Sequence, residues 1–229
     1  MLIGGLQKLS LIDYPHQLAA VIFTCGCPLR CQFCHNASLV IPSLYSPSIP
    51  EEEIFAFLEK RKNYLDGVVI TGGEPTIQAD LLPFISKIKT MGYRIKLDTC
   101  GTNPAMIEEL LKNQLLDYIA MDLKAPLKNY QKVAGVQIDP KIILKSIALI
   151  LSSKIKKEFR STLVQDLHSG LDVIEMAKLI KGAPLYTLQK YINKNPLNPA
   201  LKGNQTFSDQ ELFQLQKAVQ KEVSTCLIR

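Results

Sequence analysis

No apolar run in this chain approaches the roughly 20 residues needed to cross a bilayer. Ile147-Ala-Leu-Ile-Leu151 and Leu18-Ala-Ala-Val-Ile-Phe23 are far shorter. The first ten residues lack the charged-then-apolar layout of a signal peptide. A cytoplasmic protein with no membrane partner is the expectation. Internal repeats of 20–50 residues and low-complexity tracts are missing too, which excludes solenoids and disordered linkers. Aromatics are sparse, at 7%, and do not interleave with the basic residues. The net charge of +6 therefore reads as a solvated basic surface, or as a dock for an acidic protein such as an electron donor. No nucleic-acid partner is expected. Hydrophobic residues at 47% and charged residues at 21% describe a globular chain, and 229 residues suffice for one sizeable domain.

A second cysteine cluster is also lacking. Four of the six cysteines fall between Cys25 and Cys34, while Cys100 and Cys226 stand alone. Crowding of that kind in a reducing compartment reads as metal binding, not as a disulfide framework. Cys27, Cys31 and Cys34 form C-x3-C-x2-C, with Phe33 just before the last cysteine. Three thiolates can hold three irons of a [4Fe–4S] cubane and leave the fourth iron open, whereas an electron-carrying cluster normally has four cysteine ligands. Zinc is the alternative, since Cys25 or His35 could supply a fourth ligand. Spacing favours iron–sulfur.

Short apolar runs alternate with segments of helical period. Strands are expected at 18–23, 67–70, 94–97, 118–121, 158–164 and 185–188. Helices are expected at 51–64, 79–91, 104–113, 141–152, 171–181 and 208–223. Ser48 and Glu51 have the spacing of a capping box, and Asn103 is a plausible cap for the helix at 104. This is an α/β pattern of parallel strands with right-handed crossovers. An open sheet and a partial barrel both satisfy it. Polar residues collect just past the strand ends: Cys27, Gly72-Gly73-Glu74-Pro75, Asp98-Thr99, Asp122 with Lys124, and Gln189, with Arg160 inside the fifth strand. In βα architectures that rim carries the active site.

The cysteine motif followed by T-G-G-E-P at 71–75 resembles the radical S-adenosylmethionine superfamily. S-L-I-D-Y-P at 10–15, C-H-N at 34–36, K-L-D-T at 96–99 and M-D-L-K-A-P at 121–126 narrow the resemblance to glycyl-radical-enzyme activases. Among these the chain most resembles the activating proteins of anaerobic ribonucleoside-triphosphate reductases, from about residue 5 to 191. The resemblance implies a partial (β/α)6 barrel of parallel strands in a single domain spanning 1–229, with a core at about 18–191 and a C-terminal helical extension at about 192–229.

The implied cofactors are a [4Fe–4S] cluster and S-adenosylmethionine, cleaved reductively to methionine and a 5′-deoxyadenosyl radical. The implied metal ligands are Cys27, Cys31 and Cys34. Phe33 would lie against the adenine, and Gly72, Gly73 and Glu74 would receive the methionine amino group. Lys124 would meet the methionine carboxylate, with Asp98 and Asp122 lining that end. Those two carboxylates beside an anionic ligand call for a counter-charge, and a monovalent cation held by Asp98, Thr99 and Asp122 is expected to supply it. Arg160 is either a second positive group for the cofactor or a partner of a neighbouring carboxylate. Gln189 and Tyr191 would reach the ribose or adenine. His35 and His168 read as solvated or as hydrogen-bonding supports.

The implied partners are a glycyl radical enzyme, foremost anaerobic ribonucleotide reductase, and a flavodoxin or ferredoxin as electron donor. Alternatives are an activase of the pyruvate formate-lyase type, a small-molecule enzyme of the 7-carboxy-7-deazaguanine synthase type, and a non-catalytic metal-binding module. Two residues depart from the activase pattern: Cys100 stands where many relatives have Asn, and His16 where Gly commonly follows Asp-Tyr-Pro.

Overall fold

The computed structural model describes residues 1–192, 196–201 and 206–229. The chain forms two compact units. One comprises Met1–Pro28, Asn36–Thr99 and Asn103–Ile119; the other comprises Leu29–His35, Cys100–Thr102 and Ala120–Arg229. Cys27 thus belongs to the first unit, and Cys31 and Cys34 to the second.

In the first unit, β1 (Ile3–Ser10) runs antiparallel to β2 (Ala19–Thr24). After a short α1 (Ala37–Val40) and α2 (Glu51–Arg61), β3 (Gly67–Gly72) pairs parallel with β2. Then α3 (Leu81–Thr90) leads to β4 (Arg94–Thr99), parallel to β3, and to α4 (Pro104–Lys112). The cores of β2 and β3 are near-continuous apolar runs, as strands covered on both faces require. Helix α3 buries Leu81, Phe84, Ile85 and Ile88, one stripe of helical period. Register places Thr24 opposite Gly72, so the carboxyl ends of β2 and β3 finish level.

Strand β5 (Tyr118–Asp122) begins in the first unit and ends in the second. There follow α5 (Tyr130–Ala134), α6 (Pro140–Ser152), β6 (Lys156–Leu163), α7 (Gly170–Leu179), β7 (Tyr186–Lys190), α8 (Asp209–Val219) and β8 (Cys226–Ile228). Strands β6, β7 and β8 pair parallel. Capping boxes start α7, through Ser169 and Asp172, and α8, through Ser208 and Glu211.

All six expected strands are present, with ends moved by one or two residues, and the α/β class with parallel pairing holds. Two strands escaped the sequence pattern. β1 buries only its terminal residues, so it lacks the alternation of a half-buried strand, and β8 is three residues long. The capping box expected at Ser48 is a correction. Helix α2 is entered from Pro50 with no side-chain cap, because the Ser48 hydroxyl instead accepts the Ile3 amide at 3.0 Å. Asn103 does cap α4, accepting from the Met106 amide at 3.3 Å. Among the described residues no helix is long and apolar enough to cross a membrane.

Candidate active site

In the first unit, the glycine turn locks onto the backbone that leads into Cys27. Gly72 has φ +115°, and a Cβ there would lie 2.4 Å from the Thr24 nitrogen. At Gly73 a Cβ would fall 2.0 Å from the Gly26 oxygen. Without side chains, the Gly73 amide donates to the Thr24 carbonyl at 2.8 Å and the Glu74 amide to the Gly26 carbonyl at 2.7 Å. Only glycine allows so close an approach. The Glu74 carboxylate is fully buried and accepts from the Thr76 amide at 3.1 Å, the Thr76 hydroxyl and the Thr99 hydroxyl at 2.7 Å. Asp98 is ion-paired with the buried Lys96, whose ammonium stands 5.7 Å from the Tyr118 ring centre.

In the second unit, the remaining part of the cysteine loop is held by the backbone. The Cys34 amide donates to the Cys31 carbonyl at 3.0 Å, and the Arg30 amide to the Ala134 carbonyl at 2.8 Å. The Leu197 amide donates to the Cys34 carbonyl and the Asn198 amide to the Gln32 carbonyl, both at 2.9 Å. Nothing in the sequence pattern tied Leu197 and Asn198 to this loop; such a main-chain clamp leaves no residue-type signature. Residues 193–195 of the same stretch lie outside the described residues.

Lys124 sits above Phe33, its ammonium 5.9 Å from the ring centre, and 3.3 Å from Asp122. Arg160 Nε meets the other Asp122 oxygen at 2.9 Å. Burial opposes ionisation of Asp122, but Arg160 and then Lys124 overcome it and bring the carboxyl down to about 2. Burial likewise opposes charge on Lys124, and Asp122, helped by Cys31 and Cys100, raises it above the ordinary lysine range. Both groups are charged at neutral pH. Gln189 lies opposite Thr162 in the β6–β7 register and accepts its hydroxyl at 3.4 Å. Tyr191 stacks on His35, with ring centres 5.4 Å apart.

His168 is a support that the sequence left among the bland readings. It is buried, and its Nε2 is 2.7 Å from the Lys124 carbonyl while its Nδ1 accepts the Val164 amide at 3.1 Å. That pattern selects the neutral tautomer with its proton on Nε2. The same ring contacts Phe33 edge-on at 6.3 Å.

The charge argument for a monovalent cation is corrected. It supposed two carboxylates in need of a counter-charge, yet Lys96 answers Asp98, and Arg160 with Lys124 answers Asp122. Thr99 is engaged with Glu74. Arg160 pairs with the Asp122 carboxylate, as one of its two expectations had it.

All six cysteines are thiols. Burial raises Cys25 and pushes Cys226 up to about 12, which disfavours the thiolate that a metal needs. Among the described residues no three His, Cys, Asp or Glu side chains gather closely enough to grip one metal ion. A cubane places each thiolate on a different iron.

The chain matches the family profile of the Radical SAM superfamily over residues 21–181. It is 35% identical to a Methanocaldococcus jannaschii protein that bears the name "Putative glycyl-radical enzyme activating enzyme", covering 100% of this chain and 95% of that one. It is 31% identical to the pyruvate formate-lyase-activating enzyme of Listeria monocytogenes over 53% of this chain and 52% of the relative, so that match spans about half of each. Among solved structures, Streptococcus suis SuiB bound to S-adenosylmethionine superposes with a TM-score of 0.71 at 18% identity, covering 91% of this chain and 49% of that one. Escherichia coli QueE gives 0.56 at 16% identity, covering 99% and 92%. These last two likenesses establish the shared fold, the parallel-stranded partial-barrel type.

A [4Fe–4S] cluster and S-adenosylmethionine are the superfamily's cofactors. The residues present fit them: three thiols at the signature spacing, a glycine turn packed on the backbone that leads into Cys27, and a lysine held charged beside an aromatic ring. The chain is an enzyme of the radical S-adenosylmethionine superfamily and belongs, within it, with the glycyl-radical-enzyme activating enzymes.

Proposed function

We propose that this enzyme generates a glycyl radical on an anaerobic ribonucleoside-triphosphate reductase, with a flavodoxin or ferredoxin supplying the electron. The full-length similarity to an activating enzyme carries the reading, and the motifs at 10–15 and 121–126 support the choice of partner. Cys27, Cys31 and Cys34 hold the cluster. When bound, the cluster and S-adenosylmethionine supply the radical that abstracts a glycine α-hydrogen.

The chain's own residues bind and orient the cofactor. Arg160 and Lys124 share one carboxylate, Asp122, so the trio keeps a net positive charge for the methionine carboxylate. With the Glu74 side chain committed to Thr76 and Thr99, the turn at Gly72, Gly73 and Glu74 meets the methionine amino group through its main-chain carbonyls. Asp98, tied to Lys96, lines the same end. Phe33, fixed by His168, packs on the adenine, and Gln189 faces the ribose. The positive net charge favours an acidic electron donor.

The test mixes reduced, reconstituted enzyme with S-adenosylmethionine and the reductase under anaerobic conditions. A glycyl-radical doublet in electron paramagnetic resonance is expected. Its absence, with a doublet on pyruvate formate-lyase instead, would move the enzyme to the second reading, which the Listeria similarity favours.

A further inference from the structure

Lys96 lies in the middle of β4 and is among the largest fully buried side chains of the protein. Lysine is almost never buried unless paired, because taking an ammonium out of water carries a large desolvation cost. Asp98, its partner, has a place in the proposed function; the lysine itself has none. Nor has Tyr14, the buried tyrosine of the motif at 10–15.

These residues form one column within the first unit. Gly67 leaves room for the Tyr14 ring, since a Cβ there would lie 2.9 Å from two of the ring carbons. Tyr14 meets Tyr118 edge-on, with ring centres 5.9 Å apart. The Lys96 ammonium stands 5.7 Å from the Tyr118 ring centre, within the range of cation–π attraction. The same ammonium is ion-paired with Asp98. Lys96 and Asp98 are two residues apart on β4, so they share one face of the strand. Asp98 is the nearer to the carboxyl end, and 12% of its side chain is exposed against 1% for Lys96. The pair is thus an oriented dipole, its positive end buried beside an aromatic ring and its negative end toward the rim. Asp122 is answered differently. Arg160 and Lys124 both meet it, which leaves a positive excess suited to a carboxylate. The Asp98 pair is neutral with its carboxylate outward, and that suits an ammonium.

We propose that Lys96, resting on the Tyr118 ring that Tyr14 braces, is a positioning residue that aims the Asp98 carboxylate at the methionine ammonium of S-adenosylmethionine. This rests on the placement of Asp98 at the methionine end in the proposed function. Lys96 touches neither cofactor nor substrate, and no bond is made or broken by it. Its ion pair fixes the direction of the carboxylate, and the ring pair fixes the ammonium. The tyrosine of the motif at 10–15 then serves the site from below, as the foot of the column.

The test uses Lys96→Met, Asp98→Asn and the double variant, each as the full chain. Reconstituted to equal iron content and titrated calorimetrically with S-adenosylmethionine, each single variant should bind about tenfold more weakly. The double variant should also lose about tenfold, not about a hundredfold, because Lys96 acts only through Asp98. A lysine that merely fills space would cost the same factor in either background. Without iron, Lys96→Met should lower the urea midpoint, and the double variant should recover most of the loss. A buried pair replaced by neutral side chains of similar size leaves no charge unmatched. If Lys96→Met does not fold, the double variant is compared with Asp98→Asn: equal affinity is expected, and a further loss overturns the proposal. Unchanged affinity of Lys96→Met, or losses that add in the double variant, would overturn it while leaving Asp98 in place. So would a double variant no more stable than Lys96→Met, since the two charges would then not depend on each other. Unchanged affinity of Asp98→Asn would remove Asp98 from the methionine end, and this inference with it.

Discussion

The His168 imidazole and the Lys124 carbonyl are joined by a 2.7 Å hydrogen bond, from the element that follows β6 to the one that follows β5. The same ring meets Phe33 edge-on. One neutral histidine thus fixes the backbone of the lysine and the ring beneath its ammonium. Its neutrality is built in: burial lowers its affinity for a proton, against the opposing pull of the Lys124 and Val164 main-chain groups.

Replacing His168 by Ala should loosen Lys124 without touching a cluster ligand. One hydrogen bond of about 1.4 kcal/mol corresponds to about a tenfold loss in S-adenosylmethionine affinity. Isothermal titration of the reconstituted variant measures it, with iron content as the control. Unchanged affinity would mean that Lys124 does not need this clamp.

Asp122 predicts an acid dependence of stability. Its pKa falls on folding from 3.8 to about 2, so the folded state holds fewer protons than the unfolded state between those values. The contribution is fully present above pH 4 and is lost as pH falls through about 2. Its size is about 2 kcal/mol. Urea midpoints of the iron-free protein from pH 5 downward should fall more steeply than those of Asp122→Asn. Parallel profiles would show that the Arg160 and Lys124 pairing is not what stabilises the carboxylate.

Much of this site could be read in the sequence, and the limits have physical causes. The C-x3-C-x2-C spacing and the two glycines of residues 72–73 are local, so residue type reports them. β2, β3 and β5 were legible as buried apolar runs, and β4, β6 and β7 as short segments with buried apolar residues set between helical stretches. What pairs with what was not. Arg160 with Asp122 is set by which strands lie side by side, and Lys96 with Asp98, two residues apart on β4, by rotamer. The missed pairing is why the charge argument for a cation arose. Leu197 was invisible and the partner of His168 unreadable for the same reason, since their contacts are to main-chain atoms far along the chain.

Gly73→Ala should be among the most damaging single-atom changes. Its Cβ would meet the Gly26 carbonyl, a backbone atom that cannot swing aside. Overpacking against fixed backbone costs about 3 kcal/mol. Chemical denaturation of the iron-free variant should show that loss, along with weakened iron retention as the approach to Cys27 shifts. A variant as stable as its parent would imply that this turn tolerates rearrangement.

His16 offers the opposite test. It sits at φ +60°, in the left-handed region, at the position where the resemblance expects glycine. A side chain there costs about 1 kcal/mol relative to glycine. The hydrogen bond from the Gln17 side-chain amide to the His16 carbonyl at 2.6 Å uses main-chain oxygen and would survive substitution. Glycine also loses more entropy on folding, which offsets part of the relief. His16→Gly should therefore raise stability by about 0.5 kcal/mol, read as a higher urea midpoint at unchanged slope. A lower midpoint would mean that the imidazole contributes packing or polar contacts worth more than the backbone strain. The departure from the activase pattern at this residue would then have a structural reason of its own.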